Sequence, residues 1–203
     1  MKKTLLLLAV VMFLNASNFA QSDIKMQNKY GSENIDLLSV LRFEEIGLSK
    51  LIFSGIDLKG KNYQISVKRF DKGKLTKTEI VFDSKEDEYF RIKSDKFVFR
   101  VLTKITARQT AKFDFQFDGF SKAREYKVGK NQRGFAQKDF LGSSKEAAIP
   151  LNKSTYILTY MMPYKKKDGS EQYCEVAQSG AKPEELGTKY AIPTYFLIDI
   201  KFE

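Results

Sequence analysis

Residues 55–62, Gly-Ile-Asp-Leu-Lys-Gly-Lys-Asn, match the spacing of a phosphate-cradling loop in seven of eight positions. The eighth position fails, because Asn62 stands where a serine or threonine hydroxyl would hold magnesium. Tyr63, Ile65 and Val67 then alternate as a strand, where that chemistry needs a helix N-terminus facing the phosphates. Residues 179–182, Ser-Gly-Ala-Lys, have the Ser-x-x-Lys spacing of acyl-serine enzymes, in which a helix sets the lysine one turn behind the nucleophile. Gly180 inside the motif and Pro183 after it argue against that helix. Asp114 and Asp118 share a face, but four residues of strand hold them roughly 13 Å apart, too far for a glycosidase pair. Asp83, Glu86, Asp87 and Glu88 offer oxygens to calcium, yet Lys85 sits among them and no glycine-turned ligand spacing is present. These four acids read as a solvated loop.

The strongest chemical statement is an exclusion. The chain has no histidine, so Ser-His-Asp triads, Cys-His dyads and imidazole zinc sites are ruled out. The single cysteine, Cys174, rules out thiolate clusters and any internal disulfide. It shares a strand face with Gln172 and Val176 and reads as buried. What remains is binding chemistry. Lys127, Lys130 and Arg133 form one basic stretch and Lys165, Lys166 and Lys167 another, either of which suits a polyanion or a protein partner. There are ten tyrosines and no tryptophan. Tyr126, Tyr164 and Tyr173 lie in or near polar stretches and are the candidate aromatic platform for a glycan. No cofactor or metal site is expected, and nucleic acid is not an expected partner.

Export supports that last exclusion. Residues 1–4, Met-Lys-Lys-Thr, precede ten apolar residues at 5–14, a run too short to span roughly 30 Å of hydrocarbon. Residues 1–20 read as a signal peptide cut after Ala20, with a cut after Ser17 and an uncut anchor as the alternatives. No cysteine follows the run, which argues against a lipoprotein. After cleavage no transmembrane span is expected, and the location is periplasmic, at the cell surface or secreted. Lysine and arginine number 35 against 25 acids, a net charge of +10 that becomes +8 once Lys2 and Lys3 leave with the leader.

The elements that must position these residues are strands. Residues 97–102 and 112–117 carry the cleanest signals; in the second, Phe113, Phe115 and Phe117 alternate with polar residues, so three rings share one face. Burial of each such ring stabilises by about 1.5–3 kcal/mol, enough to make this segment a wall of the core. Tyr63, Ile65 and Val67 pair through the turn at residues 71–74 with a returning strand over residues 75–82. Residues 155–162 are apolar on both faces and read as a central strand; Phe196, Ile198, Ile200 and Phe202 close the chain on another. Residues 21–34 read as a flexible leader and residues 33–41 as a short helix or a strand. Residues 129–150 form an irregular stretch that is either functional or hides short elements. Pro183 to Gly187 has the proline start and glycine end of one helical turn. Eight to ten strands with little helix between them predict an all-β fold, a single antiparallel two-sheet sandwich over residues 35–203, with a weak boundary near Gly129.

This layout resembles the small exported β-sandwich proteins of unknown function from Bacteroides-type gut bacteria. The likeness rests on the Lys2-Lys3-Thr4 start, the Ala20-Gln21 junction and the lysine-rich, histidine-free strand ladder from Ser49 to Val128. It implies an envelope location and no assigned activity, and it transfers no site residues. The expected function is that of an exported, non-catalytic binding or structural module of the bacterial cell envelope that recognises a protein or glycan partner. The alternative is a histidine-independent carboxylate glycosidase or other envelope enzyme.

Overall fold

The computed structural model describes residues 24–130, 132–166, 168–173 and 181–203. The leader and its cleavage junction, Lys167, Cys174 and Ser179 of the Ser-x-x-Lys spacing lie outside the described residues. Strands β1 (Lys25–Tyr30), β2 (Gly47–Ser54), β3 (Tyr63–Asp71), β4 (Lys74–Asp83), β5 (Lys96–Ile105), β6 (Thr110–Gln116) and β7 (Ser121–Lys127) come first. They are followed by β8 (Ala136–Asp139), β9 (Ala147–Ala148), β10 (Thr155–Met161), β11 (Tyr164–Lys165), β12 (Glu171–Gln172) and β13 (Thr194–Phe202). One antiparallel sheet runs β7-β6-β5-β2-β1-β9 and the other β4-β3-β13-β10-β8, with β11-β12 as a separate ribbon. The expected sandwich of two antiparallel sheets is the observed fold.

Alternation decides which side chains meet between the sheets. Phe53, Phe99, Phe113 and Phe115 point inward from the first sheet. Phe196, Ile198, Ile200 and Phe202 answer from β13, the middle strand of the second. Side chains close the flanks of the sandwich. On one side Arg124 of β7 reaches Glu79 of β4 at 2.7 Å and donates to the Val81 carbonyl at 3.2 Å. On the other, the Asn28 amide of β1 donates to Asp139 of β8 at 2.6 Å. Of these strands β4, β7 and β8 are sheet edges, which would otherwise be templates for aggregation.

Two expectations need correction, and two open alternatives resolve. Residues 25–30 are not part of a flexible leader: β1 pairs with β2 from Lys25↔Ser54 to Tyr30↔Ser49, and Ile24 and Met26 are buried. Their period-two signal stops after two apolar residues because the next inward position is Asn28, whose amide nitrogen donates to Asp139. Gly129 is not a boundary either, since the second sheet interleaves β3 and β4 with β8, β10 and β13. The stretch 129–150 holds β8 and β9, so it is the hidden-element case. Residues 33–41 resolve to a helix, α1 (Ile35–Phe43), because the Asn34 side chain accepts from the Leu37 amide at 2.8 Å and caps it.

Turn chemistry fixes the hairpins. Between β3 and β4, Lys72 and Gly73 have φ of 50° and 75°, a two-residue turn whose twist matches the strands. The β5–β6 link, which has neither glycine nor proline, runs over residues 106–109, wider than a two-residue turn, and Gln109 takes its left-handed position at φ 56°.

The chain between β10 and β13 supplies a third layer. It lies on the outer face of the second sheet, where Tyr164, Leu186 and Ile192 pack on Phe70, Met161, Tyr195 and Leu197. This explains why β10 and β13 are apolar on both faces. The expected helical turn at residue 183 is a 3₁₀ turn (Pro183–Glu185) that runs into helix α2 (Leu186–Lys189). Gly187 lies inside α2 rather than at its end, and a Cβ there would come within 2.6 Å of Gly73. That close approach seats the layer on the β3–β4 turn.

Candidate functional site

The third layer brings lysines from two segments around one hollow. Tyr164, Lys165, Lys166 and Asp168, from the β11–β12 ribbon, meet Lys189, Tyr190 and Ala191, from the end of α2, around a recess of about 650 Å³. The Tyr164 and Tyr190 rings pack at 5.1 Å between centroids, and the Lys189 ammonium lies 5.5 Å from the Tyr190 ring. Asp168 is turned into its own loop, accepting from the Ser170 amide at 2.9 Å and hydroxyl at 2.7 Å. Those bonds hold its carboxyl below the usual range. Ala191 adopts φ 53°, a left-handed conformation that costs a non-glycine residue about 1 kcal/mol or more and is found disproportionately at functional sites.

The second basic stretch lies at the same end of the sandwich. Lys127, Lys130 and Arg133 are exposed. Their loop is stapled through its backbone and Gln132: the Lys127 carbonyl accepts from Arg69 at 2.6 Å, and Gln132 donates to Thr194 at 2.9 Å. Arg69 grips Asp71 at 2.8 and 3.0 Å, and Asp71 also accepts from Thr76 and Thr194. Burial raises the Asp71 pKa, but these hydrogen bonds outweigh it and leave the carboxyl below its usual value. A fixed carboxylate thus anchors the arm that presents Lys127, Lys130 and Arg133.

The expected aromatic platform is corrected. Tyr126 is 4% exposed, because the alternation of β7 turns it inward against Phe113 and Phe196. Tyr164 is buried beneath the recess rather than presented. Tyr173 is half-buried, and its hydroxyl donates to the Gly134 carbonyl, tying the ribbon to the 129–135 loop. Exposed tyrosine rings lie elsewhere: Tyr30 is 61% exposed, and Tyr89, 67% exposed, lies at the other end of the sandwich beside a groove of about 420 Å³ that includes Phe90, Phe117, Phe120, Lys93 and Lys96. Tyr89 sits in a charged stretch without periodicity, so no sequence signal marks it.

The other spacings resolve to structural roles. The phosphate-loop match is a 3₁₀ turn (Ile56–Leu58) leading into β3. Asp83 and Asp87 accept from the amides of Lys85 and Tyr89 and so cap short turns; no acidic cluster fit for a metal is found among the described residues.

One polar cluster outside the recess bears on the enzymatic alternative. On the outer face of the second sheet Asp199, 3% exposed, is held by Lys68 at 3.1 Å and by the Ser154 hydroxyl at 2.7 Å. Lys68 also donates to the Tyr156 hydroxyl at 3.2 Å. Ser154, Tyr156 and Glu184 line a cleft of about 560 Å³, but Asp199 does not. Burial pulls the Lys68 pKa down, yet the bond to Tyr156 and the Asp199 charge outweigh it and hold the ammonium above its ordinary value. Lys68 is therefore no base, and the buried carboxylate is braced rather than presented.

These shifts set a pH window. Asp71, Asp168, Glu79 and Glu203 have folded pKa values below their unfolded ones, so their contribution is present above about pH 4 and is lost as pH falls. Lys68 is raised, and burial raises Tyr195 to about 12, so their contributions are complete below about pH 10 and are lost as pH climbs through the folded values. Urea midpoints measured from pH 3 to pH 11 are expected to form a plateau from about pH 5 to 9 that falls on both sides. A midpoint still rising below pH 4 would contradict these assignments. No family model, curated protein or solved structure matches the chain, so charge and geometry carry the functional reading.

Proposed function

We propose that the protein is an exported, non-catalytic binding module of the bacterial cell envelope that recognises an acidic glycan through the basic end of its third layer. The observation that carries this reading is the convergence of Lys165, Lys166 and Lys189 on one tyrosine-backed recess. Lys127, Lys130 and Arg133 extend the positive surface at the same end. Carboxylate or sulfate groups in such a setting accept charge-assisted hydrogen bonds, and the net charge of +8 that remains without Lys2 and Lys3 steers them in. The half-buried Tyr190 supplies a ring edge for the apolar side of a sugar. Export is supported by the Lys2-Lys3 start and the apolar run that follows; an amino terminus at Gln21 in envelope fractions is the matching observation.

Titration calorimetry with an oligogalacturonate and with a neutral oligosaccharide of the same length tests the reading. Binding of the acidic oligomer alone is expected, weakening about tenfold or more between 50 and 500 mM salt because the exposed charges are screened. Lys165→Glu combined with Lys189→Glu is expected to lower affinity at least tenfold without changing the urea midpoint, since both side chains are exposed. Equal binding of the neutral oligomer, or cleavage of either one, would overturn the proposal.

A further inference from the structure

Helix α1 turns most of its apolar side chains away from the protein. Ile35 is 77% exposed, Leu37 47%, Val40 55% and Phe43 86%, while Leu41 alone is buried. At about 100° per residue, Leu38 and Leu41 face the body, and Leu38 lies over Gly31. Ile35, Ser39 and Phe43 form the opposite ridge, with Val40 beside it. A helix this short is not stable by itself in water, and one buried leucine is a slender anchor. A contiguous exposed ridge of this kind marks an interaction surface.

We propose that the ridge is where a second copy of the chain docks, helix against antiparallel helix, about a two-fold axis passing beside Ser39. The ridge is self-complementary in that arrangement. Ile35 of one copy meets Phe43 of the other, and the same contact occurs twice, as a two-fold interface requires. At the centre Ser39 is small enough for the helices to approach to the usual 8–10 Å. Its hydroxyl already donates to the Ile35 carbonyl at 2.9 Å, so burying it strands no donor.

Charge also selects a second copy over other occupants. Lys29 is paired with Glu33 and Lys104 with Glu44, each at 3.1 Å. Asp36 lies in the first turn of α1 and Arg42 in the last. Antiparallel pairing sets the first turn of one helix level with the last turn of the other, which opposes the two macrodipoles. The patch is thus locally balanced on a chain whose net charge without Lys2 and Lys3 is +8, so two copies meet there without like-charge repulsion. An anionic membrane would need lysine and arginine around the ridge. Here the cations Lys29, Arg42 and Lys104 are offset by the acids Glu33, Asp36, Glu44 and Glu45, so the ridge has no basic border. The ridge offers on the order of 500 Å² per copy, below the ~800 Å² of a standard interface, so the dimer is expected to dissociate in the micromolar range. This inference is independent of the glycan reading.

Sedimentation equilibrium of the purified chain from about 1 to 100 µM is expected to show a reversible monomer–dimer transition. Phe43→Glu is expected to raise the dissociation constant about 30-fold or more, because it removes an aromatic anchor and puts a charge in its place at both symmetric contacts. The side chain is exposed, so far-UV circular dichroism should be unchanged. As a second measurement, Ser39→Cys in a Cys174→Ser background is expected to give a covalent dimer on mild oxidation, because the introduced thiols face each other across the axis. A chain monomeric at 100 µM, a dimer indifferent to Phe43→Glu, or failure of the introduced thiols to cross-link would overturn the proposal.

Discussion

Replacing Phe113 with alanine is expected to cost about 3–5 kcal/mol, the range for deleting a fully buried phenylalanine. Phe113 projects from β6 and meets the second sheet edge-on: its ring lies 5.2 Å from Phe196 and 5.6 Å from Tyr160. On its own side it packs 5.6 Å from Tyr126. The cavity left by truncation is bounded by two hydrogen-bonded sheets that have little freedom to collapse into it. A domain of this size is stable by about 5–15 kcal/mol, so the variant should lose a large share of its folding free energy. Urea unfolding measures the change. Ile56→Ala, at a side chain 76% exposed, is the control and should move the midpoint by no more than ~0.5 kcal/mol equivalent. A Phe113→Ala cost below about 1 kcal/mol would mean that the two sheets do not pack through this ring.

The second large effect is electrostatic. Lys68→Met leaves Asp199 buried with only the Ser154 hydroxyl beside it, and removal of one partner from a buried ion pair costs about 3–5 kcal/mol. Lys68 retains some contact with solvent, its side chain being 23% exposed, so the lower end of that range is expected. Because the penalty comes from the stranded charge, Lys68→Met together with Asp199→Leu is expected to recover most of it. The parent chain, Lys68→Met and the double variant, compared by urea unfolding at pH 7, check this. If the double variant is as unstable as Lys68→Met alone, the pair is not a mutually compensating brace. If Lys68→Met is neutral, Asp199 is not buried as described.

The sandwich was legible because its core strands obey the period of two: Phe113 and Phe115, Tyr63 to Val67, and Phe196 to Phe202 each announce an inward face. The β3–β4 turn was legible from Gly73. What stayed hidden depends on contacts between distant residues. Strand β1 carries two inward apolar residues and then Asn28, whose partner lies 111 positions away at Asp139. Lys165 and Lys166 were recognisable as a basic stretch, but nothing local ties them to Lys189 and Tyr190, which join them only because the third layer folds back over the second sheet. Tyr126 was misread because its polar sequence neighbours belong to the outward face of β7, while the tyrosine itself points inward. Of the stripe Leu37, Leu38 and Leu41 that suggested a helix here, Leu38 and Leu41 face the body but Leu37 is 47% exposed, and the exposure of Ile35 and Phe43 had no local signal.

The most direct test of the binding account is to map the site residue by residue. Amide chemical shifts of the isotope-labelled chain, followed during titration with an oligogalacturonate at low salt, are expected to move at Lys165, Lys166, Lys189, Tyr190 and Ala191. Smaller changes are expected at Lys130 and Arg133. Shifts that cluster instead around Tyr89 and Phe120, or a chain whose spectrum does not respond at millimolar oligomer, would contradict it.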